Sequence, residues 1–272
     1  MTESAKKLPR LYVNLFGAPL LLGAIYFGDI FFIGLFFIIS LFCVYEFNNL
    51  CEKMNYQSIH IIPYLILVLI VLSSLEIVKF NLIQIVLILI AIGMILTVLI
   101  DLKEPINSIS ISIFCSIWIG LFFYSVLEIR NYEGIGLVLT GVMFVSVWIC
   151  DSAAYIFGKK FGKKKIAPKI SPKKTWVGSL CGLFFSLLFV FGFFYNQWFD
   201  YDLALSTTLL LGIVFGGVSQ FGDLFESKLK RIANIKDSSQ FLQGHGGFLD
   251  RFDSLIITSP ATLFILNLLE NI

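Results

Sequence analysis

Long apolar stretches separated by short polar joints make up most of the chain. About nine of them have roughly the 17 to 25 residues with which a helix crosses the hydrocarbon core of a bilayer. Their residues are continuously apolar rather than alternating, which excludes a transmembrane barrel. The pattern predicts an all-α, polytopic integral membrane protein with about nine transmembrane helices. The predicted spans are 11–28, 30–47, 59–75, 80–100, 106–127, 134–157, 176–195, 203–222 and 252–269.

The composition agrees with a chain that lies mostly inside a bilayer. Of the 272 residues, 58% are hydrophobic and 14% are charged, and the mean hydropathy is +0.90. A soluble domain needs more charge to cover its surface, and the loops are too short to hold one. We therefore expect a single membrane domain over 1–272, with scaffold spans in 1–147, a catalytic half with cytoplasmic loops in 148–255, and the last span at 252–269.

Charge is distributed unevenly over the predicted loops, although the net charge is only +2. The segment 159–174 carries eight lysines, and the loop after the eighth span is also basic. With nine spans, both segments and the basic N-terminus fall on one side of the membrane. The positive-inside bias places that side in the cytoplasm. We therefore expect a multi-pass protein of the cell's inner (plasma) membrane, with a cytoplasmic N-terminus and cytoplasmic active site.

The sixth predicted span ends in a polar sequence. Asp151 lies on an apolar helix, where a carboxylate is costly unless a partner satisfies it. Gly158 and Gly162 allow the backbone to approach a ligand closely, and Lys159 and Lys163 supply charge for phosphate. The spacing does not match a Walker loop. An aspartate solvated by lipid headgroups is the alternative interpretation of Asp151.

A second polar segment leads into the seventh span. Ser171 or Thr175 can cap that helix, and its positive end, together with Lys173 and Lys174, would attract an anion. An ordinary basic loop that binds lipid headgroups is the alternative. The order of Ser, Pro, Lys, Lys and Thr favours a specific site, because dispersed lysines would be enough for headgroup binding.

The eighth span carries a polar stripe. Asp223, Ser227 and Lys230 or Arg231 recur at helical spacing and therefore share one face. Small residues on the same span allow close helix packing. Packing does not explain the carboxylate of Asp223.

Glycines surround His245 just before the ninth span and predict a tight loop whose N–H groups can face an anion. Asp250 and Asp253 follow on the first turns of the last helix. Taken alone, these acids with Arg251 are typical of a salt-bridged helix cap. Together with Asp223 and the nearby lysines, they fit oxygen-liganded Mg²⁺ in nucleotide chemistry.

The order of these motifs closely resembles the signature of the CDP-diacylglycerol synthases, also called phosphatidate cytidylyltransferases. The strong resemblance covers about residues 148–255. Two positions depart from the family: Gln243 stands where it usually has Pro, and Val177 where it commonly has Glu. The first departure leaves the loop less rigid. The matching segments are 151–163, 171–175, 227–231, 236–237 and 245–253.

The resemblance implies that the phosphate of phosphatidic acid attacks the α-phosphorus of CTP, giving CDP-diacylglycerol and pyrophosphate. It implies Mg²⁺ held by Asp223 and Asp250, with a second metal ion left open. Lys173, Lys174 and His245 complete the implied catalytic set, with His245 in a positioning or hydrogen-bonding role. The implied substrate-binding residues are Asp151, Lys159, Lys163, Ser171, Thr175, Ser227, Lys230, Arg231, Lys236, Gly246, Gly247 and Arg251.

The expected partners are CTP, phosphatidic acid and membrane lipids; nucleic acid is not expected, and a homodimer is left open. A CTP-dependent polyprenol kinase is the nearest alternative, but its hydroxyl substrate would need a base, which phosphatidate does not. The motif of the CDP-alcohol phosphotransferases is absent from the sequence. An ion-coupled transporter would place its acids near the membrane midplane, often in two related halves. Here the acids lie with lysines at one face and no repeat is visible.

Overall fold

The computed structural model describes residues 16–78, 82–100, 102–196, 203–242 and 246–270. Helices form nearly all of the regular structure in these ranges, together with one two-stranded hairpin. A π-helical turn, Val214–Val218, lies between the helices Leu205–Ile213 and Ser219–Ile232. In chain order the elements are α1 (Phe16–Phe27), α2 (Asp29–Lys53), α3 (Ile61–Ser74), α4 (Leu82–Leu99), α5 (Pro105–Asn131), α6 (Gly136–Phe161), β1 (Lys165–Ala167), β2 (Ser171–Thr175), α7 (Trp176–Tyr195), α8 (Leu205–Ile213), α9 (Ser219–Ile232) and α10 (Leu249–Glu270).

Within the described ranges, five helical segments are long and apolar enough to cross a membrane: α2, α5, α6, α7 and the continuous segment Leu205–Ile232. Helices α1 and α3 and most of α4 are shorter but also apolar. The predicted fold class, an all-α polytopic membrane protein, is confirmed. The eighth predicted span ended at residue 222, whereas the helix continues to Ile232. Asp223 and the polar stripe therefore lie within a regular helix.

Glycine and proline separate several of these helices. Gly28 between α1 and α2 has φ 68°, and Gly134 between α5 and α6 has φ 75°. Such left-handed conformations are strained for residues that carry a Cβ. Pro105 is the first residue of α5, a position where the missing backbone N–H costs no helical hydrogen bond.

The chain divides into two compact units, each made of two segments of sequence. The first comprises Met1–Leu127 with Ile232–Arg251, and the second comprises Glu128–Arg231 with Phe252–Ile272. The predicted halves, 1–147 and 148–255, are continuous in sequence, and that division stays a prediction. In the first unit, helices α2 and α5 contribute fully buried aromatic side chains, including Phe36 and Phe122, whose ring centroids are 6.2 Å apart.

The second unit packs α6, α7 and the π-helical turn through small residues. A Cβ at Gly182 would lie 2.9 Å from the carbonyl oxygen of Cys150, and a Cβ at Gly216 would lie 2.7 Å from Cβ of Ser186. Ser146 and Ser186 hydrogen-bond to each other at 2.7 Å. Close helix approach therefore depends on small side chains, as is common inside membranes.

Candidate active site

The lysine-rich segment after α6 folds as a β-hairpin. Strands β1 and β2 pair in antiparallel fashion, with Lys165 opposite Thr175 and Ala167 opposite Ser171. The backbone N–H of Trp176 donates to the carbonyl of Lys164 at 3.1 Å, which ties the end of β2 to the start of the hairpin. The sequence predicted a polar loop here, and the strand pairing was not predicted.

Thr175 joins the hairpin to α7. Its Oγ1 accepts a hydrogen bond from the N–H of Gly178 at 3.2 Å and so caps the helix, which resolves the choice between Ser171 and Thr175. A Cβ at Gly158 would lie 3.0 Å from that same oxygen, and a Cβ at Gly162 would collide with the Thr175 side chain. In this structure the two glycines let the end of α6 lie directly against the cap.

Two contacts attach the hairpin to α9. Nζ of Lys174 lies 2.5 Å from Oδ2 of Asp223, and both side chains are about one quarter to one third exposed, at 26% and 31%. Nε of Arg231 donates to the carbonyl of Ile170 at 3.1 Å. Ser227 donates to Oδ1 of Asp223 at 3.2 Å. The structure thus brings together four of the predicted site residues around one face of α9.

Lys230 has a different environment from Arg231. Its ammonium lies 2.5 Å from Oε2 of Glu226, one turn earlier on α9, and the two side chains are only 10% and 0% exposed. Lys230 was predicted to bind substrate, and here it neutralises a buried carboxylate. The i,i+4 spacing of Glu226 and Lys230 is the sequence signal that could have revealed this pair.

A third carboxylate lies close to this group in the second unit. Asp253 on α10 is 8% exposed, and its carboxylate experiences the negative charges of Asp223 and Asp151 and the positive charge of Lys230. A side chain on Gly222 would collide with the backbone carbonyl of Asp253, so this glycine allows α9 to approach α10. The sequence analysis grouped Asp253 with Asp250 and Asp223 but did not name it as a metal ligand or a substrate-binding residue.

Asp250 organises the segment that precedes α10 in the first unit. Its Oδ2 accepts hydrogen bonds from the N–H of Ser238 at 2.9 Å, from the hydroxyl of Ser238 at 2.8 Å and from the N–H of Gly247 at 2.7 Å. Gly246 has φ 78°, and any side chain there would also meet Asp250. The N–H of Gly247, expected to face an anion, therefore binds a carboxylate of the chain itself.

The remaining predicted site residues are accessible or lie outside the described residues. His245 lies outside the described residues. So does Gln243, one of the two positions at which the sequence differs from the family pattern. Asp223 and Asp250 belong to different units, and their predicted approach stays a prediction. Among the described residues, no group of three or more His, Cys, Asp and Glu side chains is placed to hold a metal by itself. Besides Arg231, the exposed predicted side chains are Asp151, Lys159, Lys163, Lys173, Lys236 and Arg251.

Sequence reasoning missed a carboxylate in the N-terminal half. Glu46 lies in α2, is 1% exposed, and accepts hydrogen bonds from the segment before α10. It is the sole charged residue between Asp29 and Glu52. A lone acid inside an apolar helix is the signal that could have identified it.

Comparison with known proteins places these features in a family. The sequence profile of the Cytidylyltransferase family matches residues 8–269. The phosphatidate cytidylyltransferase of Synechocystis sp. is 46% identical over 135 residues, which are 49% of this chain and 45% of that protein. That of Bacillus subtilis is 36% identical over 174 residues, 63% of each chain. That of Haemophilus influenzae is 44% identical over 131 residues, 47% of this chain and 45% of the relative.

The chain spans about half the length of the curated relatives it matches, from 45% to 63% for these three. The family profile, in contrast, covers nearly all of the chain. The resemblance seen in the motifs of 148–255 is thereby confirmed, and the chain belongs to the cytidylyltransferase family.

Proposed function

We propose that the protein is a phosphatidate cytidylyltransferase, a nucleotidyltransferase that makes CDP-diacylglycerol and pyrophosphate from CTP and phosphatidic acid. The observation that carries the proposal is the ion pair between Lys174 of the hairpin and Asp223 of α9. It brings together a lysine proposed to bind phosphate, on the hairpin between α6 and α7, and a carboxylate proposed to bind metal, on α9. The names of the relatives from Synechocystis sp. and Bacillus subtilis support the same activity.

The chemistry requires positioning and charge neutralisation more than proton transfer. A phosphate monoester is already ionised near neutral pH, so the attacking oxygen of phosphatidic acid needs no general base. Lys173 and Lys174 would bind the phosphates of CTP, and the lysines of the hairpin would raise the local concentration of the nucleotide. Lys174, which contacts Asp223 in this structure, would bridge that carboxylate and a phosphate of CTP. Fixed cations stabilise the charge that develops on the departing pyrophosphate.

Mg²⁺ is the proposed cofactor, with Asp223 and Asp250 as its protein ligands. Asp223 suits this role, because its negative charge and that of Asp151 act on the buried carboxylate of Asp253, and a cation beside these acids would relieve their repulsion. Mg²⁺ usually takes one or two carboxylates and completes its shell with water and substrate phosphates. When bound, it would neutralise the pyrophosphate that leaves. A second metal ion is left open.

Purified protein in detergent tests the proposed reaction. With CTP and Mg²⁺ present, we expect pyrophosphate release only when phosphatidic acid is added, with a CDP-lipid as the second product by mass spectrometry. Diacylglycerol is the matched control, because it has the same acyl chains and no phosphate. Pyrophosphate release that does not depend on phosphatidic acid would contradict the proposal, as would formation of a phosphorylated polyprenol when a polyprenol is supplied in place of phosphatidic acid.

We also propose that the hairpin lies on the cytoplasmic side of the inner membrane, where CTP is available. The two ends of α6 provide the test, because Glu133 precedes this helix and Lys164 follows it, and both side chains are exposed. In a background without the five natural cysteines, we expect a membrane-impermeant maleimide to label Glu133→Cys from outside intact cells. Lys164→Cys should react after permeabilisation alone. The reverse pattern would place the hairpin outside and contradict the proposed site.

A further inference from the structure

Glu46 is a buried carboxylate on α2 and is the sole charged residue between Asp29, which begins the helix, and Glu52 near its end. It lies near the end of α2, and its side chain is 1% exposed. A buried, charged carboxylate destabilises a protein strongly unless hydrogen bonds or counter-charges compensate it. The partners of Glu46 therefore indicate why the chain tolerates this residue.

Four hydrogen-bond donors surround the Glu46 carboxylate, and all belong to 238–249. Ser238 donates to Oε2 at 2.8 Å and Ser239 donates to Oε1 at 2.6 Å. The backbone N–H groups of Phe248 and Leu249 donate at 3.0 and 2.8 Å. The N–H groups at the start of a helix have no acceptor within that helix, and an anion there also matches the helix dipole. Glu46 thus caps α10 from a helix about two hundred residues earlier in the chain.

The same segment connects Glu46 to Asp250. The hydroxyl of Ser238 is 2.8 Å from Oε2 of Glu46 and 2.8 Å from Oδ2 of Asp250. Gly247 donates its N–H to Asp250, and a side chain at Gly247 would collide with Glu46 and with Ser238. Ser238 and Gly247 are therefore held between the two carboxylates. The position of Asp250 depends on the segment that Glu46 fixes.

An aromatic contact holds the segment at a second point. Phe42 lies one turn before Glu46, so the two residues share a face of α2. Its ring stacks on Phe248, with centroids 4.7 Å apart and planes 11° apart, and lies 4.5 Å from the ring of Phe241. One face of α2 thus holds the same segment through hydrogen bonds to Glu46 and through ring contacts of Phe42.

We propose that Glu46 is a positioning residue for cytidylyl transfer, because it holds Ser238, Ser239, Phe248 and Leu249 and thereby sets the orientation in which Asp250 would meet the metal. This inference rests on the proposed function for the role of Asp250. It assigns a part in the reaction to α2, which the sequence analysis treated as scaffold. Glu46 itself contacts neither substrate in this account and acts through Ser238, Gly247 and Asp250.

Glu46→Gln tests the inference with the full chain in detergent. The amide has one acceptor oxygen, and its NH₂ group would face donors that Glu46 now accepts, so part of the hydrogen bonding must be lost. We expect hydrogen–deuterium exchange of the amides of 238–242 and 246–249 to become about tenfold faster or more, with peptides of α7 unchanged. We expect Mn²⁺, used as a spectroscopic probe, to bind about tenfold more weakly. Glu46→Asp keeps the charge and should recover part of both.

Glu52→Gln is the matched control, since Glu52 is an exposed carboxylate on the same helix, 3.3 Å from His60. It should leave exchange, Mn²⁺ affinity and turnover as in the wild type. A wild-type protein that forms no CDP-lipid would contradict the proposed function, whereas exchange and Mn²⁺ binding are measured without substrate and test Glu46 separately. If Glu46→Gln does not fold, Ser239→Ala, which removes one donor, should give smaller shifts in the same direction. Folded Glu46→Gln, or in its place Ser239→Ala, with wild-type exchange and wild-type Mn²⁺ affinity would overturn the inference.

Discussion

Asp223→Asn should reduce Mg²⁺-dependent formation of CDP-lipid by about 100-fold or more, a loss of the size seen when one electrostatic group is removed from an active site. Asparagine keeps the shape of the side chain and can still accept the hydrogen bond from Ser227, but it removes the negative charge that a divalent cation needs. Turnover at saturating CTP and a series of Mg²⁺ concentrations measures the effect. The thermal unfolding of the variant in detergent shows whether it is folded.

Lys174→Gln separates the ion pair that Asp223 makes with Lys174 from the metal binding proposed for Asp223. It breaks the ion pair with Asp223 but leaves the carboxylate in place. We expect a smaller loss of kcat/KM, equivalent to about 2 kcal/mol for one charge-assisted bond to phosphate. The loss should come mainly from a higher KM for CTP. Asp250→Asn should resemble Asp223→Asn, and Glu133→Gln, an exposed acid, should have no effect. Near-normal Mg²⁺-dependent turnover in both Asp→Asn variants would rule out the proposed metal ligands.

Gly247→Ala should reduce turnover by about tenfold or more. A side chain that overfills a packed site is among the substitutions that destabilise a folded protein most. The added Cβ would collide with the Glu46 carboxylate and with Ser238. The side chains of Glu46 and Ser238, or the segment before α10, must then move, and this disturbs the hydrogen bonds that Ser238 and Gly247 donate to Asp250. Steady-state kinetics and unfolding temperature measure the consequence.

Gly141→Ala is the control for this substitution. Gly141 lies in α6 and has open space where the new Cβ would point. Alanine should leave activity unchanged and stabilise the helix, by up to about 1 kcal/mol. Equal activity of the Gly247→Ala variant and the wild type would mean that the close contact with Glu46 does not constrain the reaction.

The helices were predictable because each needs a long run of apolar residues, and such runs are visible in one sequence. The eighth predicted span ended at 222 because hydropathy falls there, although the spacing of Asp223, Ser227 and Arg231 correctly indicated a continuing helix. The hairpin was not predicted. Its strands are three and five residues long and rich in lysine, and their pairing depends on Thr175 lying against α6.

The site was predictable in part for a related reason. Lys174 and Asp223 were identified by their order within motifs, and the structure adds that they touch. The hydrogen bond from Ser238 to Glu46 joins residues 192 positions apart. No local spacing encodes such a contact, so the sequence marked Glu46 only as the sole charged residue between Asp29 and Glu52. The proximity of Asp253 to Asp223 and Asp151 likewise depends on how α6, α9 and α10 pack.

Transfer of label from CTP to lipid shows whether the protein transfers the cytidylyl group or the γ-phosphate. Protein in detergent receives Mg²⁺, phosphatidic acid and CTP labelled on either its α- or its γ-phosphorus. We predict that label on the α-phosphorus enters the lipid and that label on the γ-phosphorus leaves as pyrophosphate. Asp223→Asn should abolish most of the transfer. Entry of γ-label into a lipid, the result expected of a CTP-dependent lipid kinase, would contradict it, and so would a lipid fraction that acquires neither label.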